Sequence, residues 1–260
     1  GINDVPTAAD KTVTTNEDTA YVFSASDFGY TDVDDHDSLV SVKITGLENA
    51  GALQYNNGSA WVDVTANQVI TATDIGNNKL RFNPAANENG SPYTTFDFTV
   101  NDGDADSASA NTITVNVTAV NDAPTAADNT VTTIENTNYV FSTSDFNFSD
   151  VDGDSLDAIK ITSTVDNGAL QYYNGSTWVD VTGNQSFAAW VIPLGRLRFT
   201  PDANENGASY TSFDFQVSDG TVYSSPSSTM TINVTPANNA PSAVADTDSV
   251  NEDATVTQSS

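Results

Sequence analysis

Apolar and polar residues alternate with a period of two through short stretches of this chain, the pattern of half-buried β-strands. Tyr21-Val22-Phe23, Val40 to Ile44, Trp61 to Thr65, Leu80 to Phe82, Phe96-Asp97-Phe98-Thr99-Val100 and Thr112 to Thr118 carry it, and all are dense in Thr, Val, Ile, Phe and Tyr. Turn pairs punctuate them: Asn57-Gly58, Asn89-Gly90 and Asp102-Gly103, and further on Asn174-Gly175, Asn206-Gly207 and Asp219-Gly220. No amphipathic helix of useful length interrupts the pattern.

The whole arrangement occurs twice. Asn3-Asp4-Val5-Pro6-Thr7-Ala8-Ala9-Asp10 returns as Asn121-Asp122-Ala123-Pro124-Thr125-Ala126-Ala127-Asp128. Gly51-Ala52-Leu53-Gln54-Tyr55 returns as Gly168-Ala169-Leu170-Gln171-Tyr172, and Trp61-Val62-Asp63-Val64-Thr65 as Trp178-Val179-Asp180-Val181-Thr182. A third copy opens at Asn239-Ala240-Pro241 and stops at Ser260, so both ends look cut from something longer. The expected modules are 3–120 and 121–237, with 238–260 the truncated start of a third repeat or a disordered tail. About seven strands per module predict an all-β fold of tandem immunoglobulin-like antiparallel sandwiches.

Charge changes the picture next. Seven Lys and Arg face 35 Asp and Glu among 260 residues, a formal net charge of −28. Such a chain repels nucleic acid and anionic lipid, and no apolar run is long enough to insert in a membrane. Cysteine is absent and His36 is the single histidine, which removes disulfides, thiolate metal sites and histidine pairs. The acids gather where the strand pattern places loops and module ends. Asp32-Val33-Asp34-Asp35-His36-Asp37 and Asp150-Val151-Asp152-Gly153-Asp154 put carboxylates on alternate positions, which a turn brings to one point. Carboxylates gathered without basic partners destabilise a fold unless a cation sits among them. Oxygen ligands without His or Cys select Ca²⁺. A helix–loop–helix calcium loop is excluded, since its closing Glu and flanking helices are missing.

These modules resemble the bacterial cadherin-like repeats of large calcium-dependent surface adhesins and exported proteins. Val120-Asn121-Asp122-Ala123-Pro124 is similar to the linker that closes such repeats, and Phe82-Asn83-Pro84, Asn87-Glu88-Asn89-Gly90 and Phe96 to Gly103 resemble the family's second half. The resemblance implies a calcium site at each joint, ligated by Asn121, Asp122, the incoming Glu135 and acids of neighbouring loops. Carried over by position, the candidates are Asp4, Glu17, Asp32, Asp34 and Asp102, with Asp122, Glu135, Asp150, Asp152, Asp154 and Asp219 as counterparts. It further implies an extracellular extender, secreted or on the bacterial cell surface, that supports adhesion or biofilm formation and whose partners are calcium and neighbouring repeats.

Other residues carry weaker signals. Trp61, Trp178, Tyr55, Tyr172 and Tyr173 flank the Asn-Gly hairpins and are explained by cross-strand packing, although such aromatics also stack on sugars. Trp190 lies where Ala188 to Pro193 departs from the first module; it is read as core, and exposure would make it a candidate module-specific patch. Arg81 and Arg198 are expected to pair with strand carboxylates. Glu88 and Glu205 find no second carboxylate for glycoside hydrolysis, and no triad is visible, so no enzyme is expected. The alternatives are a polysaccharide-binding module for an exopolysaccharide, host glycan or other surface molecule, or an accessory sandwich of a larger exported enzyme.

Overall fold

The computed structural model describes residues 3–33 and 38–238; Asp34 and His36 lie outside them, as do Asn239 to Ser260. The chain divides into two compact units, Gly1–Asp122 with Val151–Asp154, and Ala123–Asp150 with Ser155–Ser260.

In the first unit the strands are β1 (Lys11–Asn16), β2 (Tyr21–Val22), β3 (Ser41–Gly46), β4 (Ala52–Asn56), β5 (Trp61–Asp63), β6 (Val69–Thr71), β7 (Leu80–Asn83), β8 (Gly90–Asn101) and β9 (Asn111–Thr118), with a one-turn helix α1 (Ala72–Gly76). They form two sheets, β1-β9-β8-β3-β6 and β2-β7-β4-β5. The second unit repeats the plan with β10 (Asn129–Ile134), β11 (Tyr139–Val140), β12 (Ala158–Ile161), β13 (Ala169–Tyr173), β14 (Trp178–Asp180), β15 (Gln185–Ala188), β16 (Leu197–Thr200), β17 (Gly207–Ser218) and β18 (Ser228–Thr235). Its sheets run β10-β18-β17-β12-β15 and β11-β16-β13-β14. The immunoglobulin-like sandwich is thus present in each unit. Two details go beyond the period-2 pattern: among the described residues each unit has nine strands, and the first of these pairs parallel with the last, β1 with β9 and β10 with β18.

Alternation along β8 turns Phe96, Phe98 and Val100 inward while Asp97 and Thr99 face out. Phe23, Phe28, Phe82, Phe96 and Phe98 fill the space between the sheets and are all but inaccessible. The rings meet edge to face, Phe28 on Phe98 at 5.0 Å and Phe23 on Phe96 at 5.5 Å. In the second unit Phe141, Phe146, Phe199, Phe213 and Phe215 do the same work, with Phe146 on Phe215 at 5.1 Å. A tight turn seats Phe28: the Ser24 amide donates to Asp27 Oδ2 at 2.8 Å, and Gly29 ends the turn in the left-handed region at φ 53°. Gly51 is fixed sterically, since at φ 70° a Cβ there would come within 2.4 Å of the Phe82 ring.

The tyrosines at the sandwich rims make the fold sensitive to alkali. Burial, then the nearby Asp145, pushes the Tyr139 phenol up to about 12, and burial with a hydrogen bond to Glu205 pushes Tyr210 up to about 12. Above about pH 10 the unfolded chain loses phenolic protons that the folded chain keeps. Stability is therefore expected to be unaffected by these groups below pH ~10 and to fall between ~10 and ~12. Melting temperature against pH, with phenolate absorbance read in parallel, checks this; ionisation of every tyrosine before unfolding begins would contradict it.

Candidate metal centre

Parallel pairing of β1 with β9 carries both strands to the same end of the first sandwich, Asn16 opposite Thr118. The residues that follow therefore meet. The Glu17 amide donates to the Thr118 carbonyl at 2.9 Å, and the Glu17 carboxylate, 3% exposed, accepts from the Val120 amide and from the Asn89 side chain. Asp18 accepts from the Asn87 amide at 3.1 Å, and the Asn87 side-chain amide lies 3.2 Å from carboxylate oxygens of both Asp18 and Asp122. The Asp122 amide donates to Asp152 at 2.7 Å. The Asp150, Asp152 and Asp154 carboxylates of one loop then bring an oxygen each to within 4.8 Å of one another.

This donor set fits a hard cation. Two oxygens on opposite sides of a Ca²⁺ ion stand about 5 Å apart, and the trio falls within that span. Five of the seven basic side chains are engaged elsewhere. Lys43 pairs with Asp106 at 3.2 Å and Lys79 with Asp74 at 2.7 Å. Arg81 and Arg198 lie 4.0 and 3.8 Å over the rings of Trp61 and Trp178, and Lys160 faces Tyr223.

The other candidates fall at two further places. Asn3 donates to the Asp4 carbonyl and to Asp102 Oδ2, while Asp102 Oδ1 accepts from the amides of Asp104 and Ala105, both at 2.7 Å. The Ala105 and Asp104 amides hold the Asp102 carboxyl below the usual carboxylate range. The Thr7–Thr31 backbone pair draws the Asp32 loop toward this same end, and Asp32 turns one carboxylate oxygen out of solvent. Asp219 repeats the Asp102 turn, accepting from Thr221 and Val222. Asn121 donates to the Asp122 carbonyl at 2.8 Å.

One grouping is corrected. Glu135 does not join Asn121 and Asp122: β10 runs parallel to β18, so the Glu135 amide donates to Thr235 at 2.8 Å and its carboxylate accepts from Asn206 at 2.9 Å. Glu17 takes that place beside the linker. Asp18, Asn87 and Asn89, absent from the candidates read from the sequence, lie beside Glu17 and Asp122, and the repeated Asn-Glu-Asn-Gly turn was a signal for the two asparagines. The middle residue of that turn serves otherwise, Glu88 accepting from Tyr93 at 2.7 Å and Glu205 from Tyr210 at 2.9 Å.

The arginines and aromatics also depart from expectation. Arg81 and Arg198 bind amide oxygens, not carboxylates: Arg81 donates twice to Gln54 and Arg198 twice to Gln171, and these glutamines in turn hold Asp63 and Asp180. The guanidinium covers one face of each hairpin tryptophan, which leaves less ring for a sugar. Tyr173 and Trp178 face each other across the second hairpin, 5.6 Å between rings. Trp190 is 65% exposed and is not core, because the segment around it forms a surface turn after β15.

A family model described as a bacterial Ig domain matches residues 3–118 and again 121–235. No curated protein matches. Among solved structures, human protocadherin-24 EC1-2 aligns with a TM-score of 0.50 and 16% identity over 92% of this chain and 100% of that one. An endo-fucoidan hydrolase of glycoside hydrolase family 107 aligns at 20% identity and a TM-score of 0.29, covering 90% of this chain; the chain spans 29% of that enzyme. Drosophila N-cadherin EC1-3 aligns at 10% identity and a TM-score of 0.26, covering 90% of this chain and 69% of that one. Among the described residues no helix is long and apolar enough to cross a membrane.

Proposed function

Because the chain belongs to the bacterial Ig domain family in both of its repeats, we propose that it is a calcium-dependent extender segment of an exported bacterial surface or secreted protein. It acts by structure and not by catalysis, holding an adhesive part of its parent away from the cell. The observation that carries this reading is the Asp150-Asp152-Asp154 trio, with oxygens within 4.8 Å, reached by the linker through Asp122. Bound calcium supplies positive charge that these acids otherwise lack.

The residues themselves do the rest. Glu17 and Asp18 fix the end of the first sandwich by bonds to Val120 and Asn87. Asp122 belongs to the linker, and Asp150, Asp152 and Asp154 to the second repeat's sequence. An ion held by the trio neutralises its carboxylates; without it, these like charges repel one another. Affinity in the ~10⁻⁴–10⁻³ M class of extracellular modules suits such a switch. The expected result of small-angle scattering is a longer maximum dimension in ~2 mM Ca²⁺ than in chelator, with Mg²⁺ much less effective. Identical profiles in all three would remove the extender role.

A further inference from the structure

The second repeat carries a groove whose matched positions in the first repeat are bonded to one another. The groove, about 260 Å³, is lined by Tyr172, Tyr173, Asn174, Phe187, Val191 and Arg196 among others. The matched positions of the first repeat differ in one key residue. There Lys79 donates to Asp74 Oδ1 at 2.7 Å and the Tyr55 hydroxyl to Asp74 Oδ2 at 2.7 Å, so cation, phenol and carboxylate satisfy one another. The bond to Asp74 holds Lys79 above its usual range. In the second repeat Arg196 stands where Lys79 does and Tyr172 where Tyr55 does, but Val191 replaces Asp74. Among the described residues the Arg196 side chain forms no ion pair or hydrogen bond.

The same segment gains aromatic and apolar surface. Tyr173 replaces Asn56, Trp190 replaces Thr73 and Leu194 replaces Asn77. Trp190 is 65% exposed and Leu194 58%. A lone guanidinium beside flat rings, with Asn174 and Ser186 also in the lining, supplies what a charged sugar needs: a bidentate anion partner, stacking surface and hydroxyl partners. We propose that this groove binds one ring of an acidic polysaccharide, the anion being a carboxylate or a sulfate ester on the sugar. This goes beyond the calcium reading and uses none of its residues.

The test is gel retardation and calorimetry of the full chain against polygalacturonate, dextran sulfate and neutral dextran. It is run in chelator, so that calcium cannot bridge polymer to the protein's acids, and at ~0.15 M salt, where the net charge of −28 is screened beyond ~8 Å. At least one acidic polymer is expected to bind, and which one names the anion; neutral dextran is expected not to. Arg196→Gln and Val191→Asp should each weaken binding about tenfold or more. Val191→Asp is the stricter variant, because it restores the carboxylate that the first repeat already accommodates, and thermal melts confirm that it folds. Absence of binding to both acidic polymers, equal binding of the neutral one, or wild-type affinity in Val191→Asp would each overturn the assignment.

Discussion

Replacing Phe98 by alanine is expected to lower the stability of the first repeat by about 3–5 kcal/mol and to leave the second repeat untouched. Phe98 is fully buried on β8, the strand between β9 and β3, and its ring is held edge-on by Phe28. Truncation loses the transfer energy of the ring and opens a cavity between two sheets that cannot close over it. Since a domain of this size has only about 5–15 kcal/mol in hand, the loss is severe. The second repeat builds its own core on Phe215 and Phe146. The melt should therefore split, with one transition moved far down and one in place. A control at Val62, 39% exposed, should shift stability by no more than about 0.5 kcal/mol. Movement of both transitions together in Phe98→Ala would show that the repeats do not melt as separate units.

The second large effect depends on calcium. Asp152→Asn with Asp154→Asn keeps the side-chain shape and the acceptor for the Asp122 amide but removes two of three crowded charges. In chelator the variant is expected to be more stable than the wild type by about 1 kcal/mol, the repulsion of charges some 4–5 Å apart in a watery setting. In ~2 mM Ca²⁺ that advantage shrinks, and towards the tighter end of the affinity range it reverses. An ion bound at a Kd of ~10⁻⁴–10⁻³ M stabilises the wild type by roughly 0.6–1.8 kcal/mol, and the variant gains little. A calcium-induced rise in the wild type that the variant lacks is the diagnostic; a variant that gains as much from calcium as the wild type would take the trio out of the site.

The sandwich was legible in the sequence because two-residue alternation in Phe96 to Val100 and Thr112 to Thr118 encodes which face is buried. What alternation does not encode is partner and direction. The parallel pairing of β1 with β9 joins residues about 100 apart, and nothing in Lys11–Asn16 announces it. That pairing brings Glu17 beside the linker, and its counterpart, β10 with β18, brings Glu135 to the Thr235 end, where the family resemblance had grouped Glu135 with Asn121 and Asp122. The Asp150 to Asp154 loop was easier, since its carboxylates are neighbours in sequence as well as in space. Trp190 was misjudged for a related reason: an apolar run such as Ala188 to Pro193 reads alike in a core strand and on a surface turn.

The most direct test of the account is a calorimetric titration of Ca²⁺ into the chelator-stripped chain, repeated with Asp152→Asn/Asp154→Asn and with Mg²⁺. The account predicts saturable calcium binding in the ~10⁻⁴–10⁻³ M range, loss of that binding in the double variant, and weaker heats for Mg²⁺. No saturable binding up to ~10 mM, or an unchanged isotherm in the variant, would contradict it and reduce the clustered acids to turn-forming and solubilising residues.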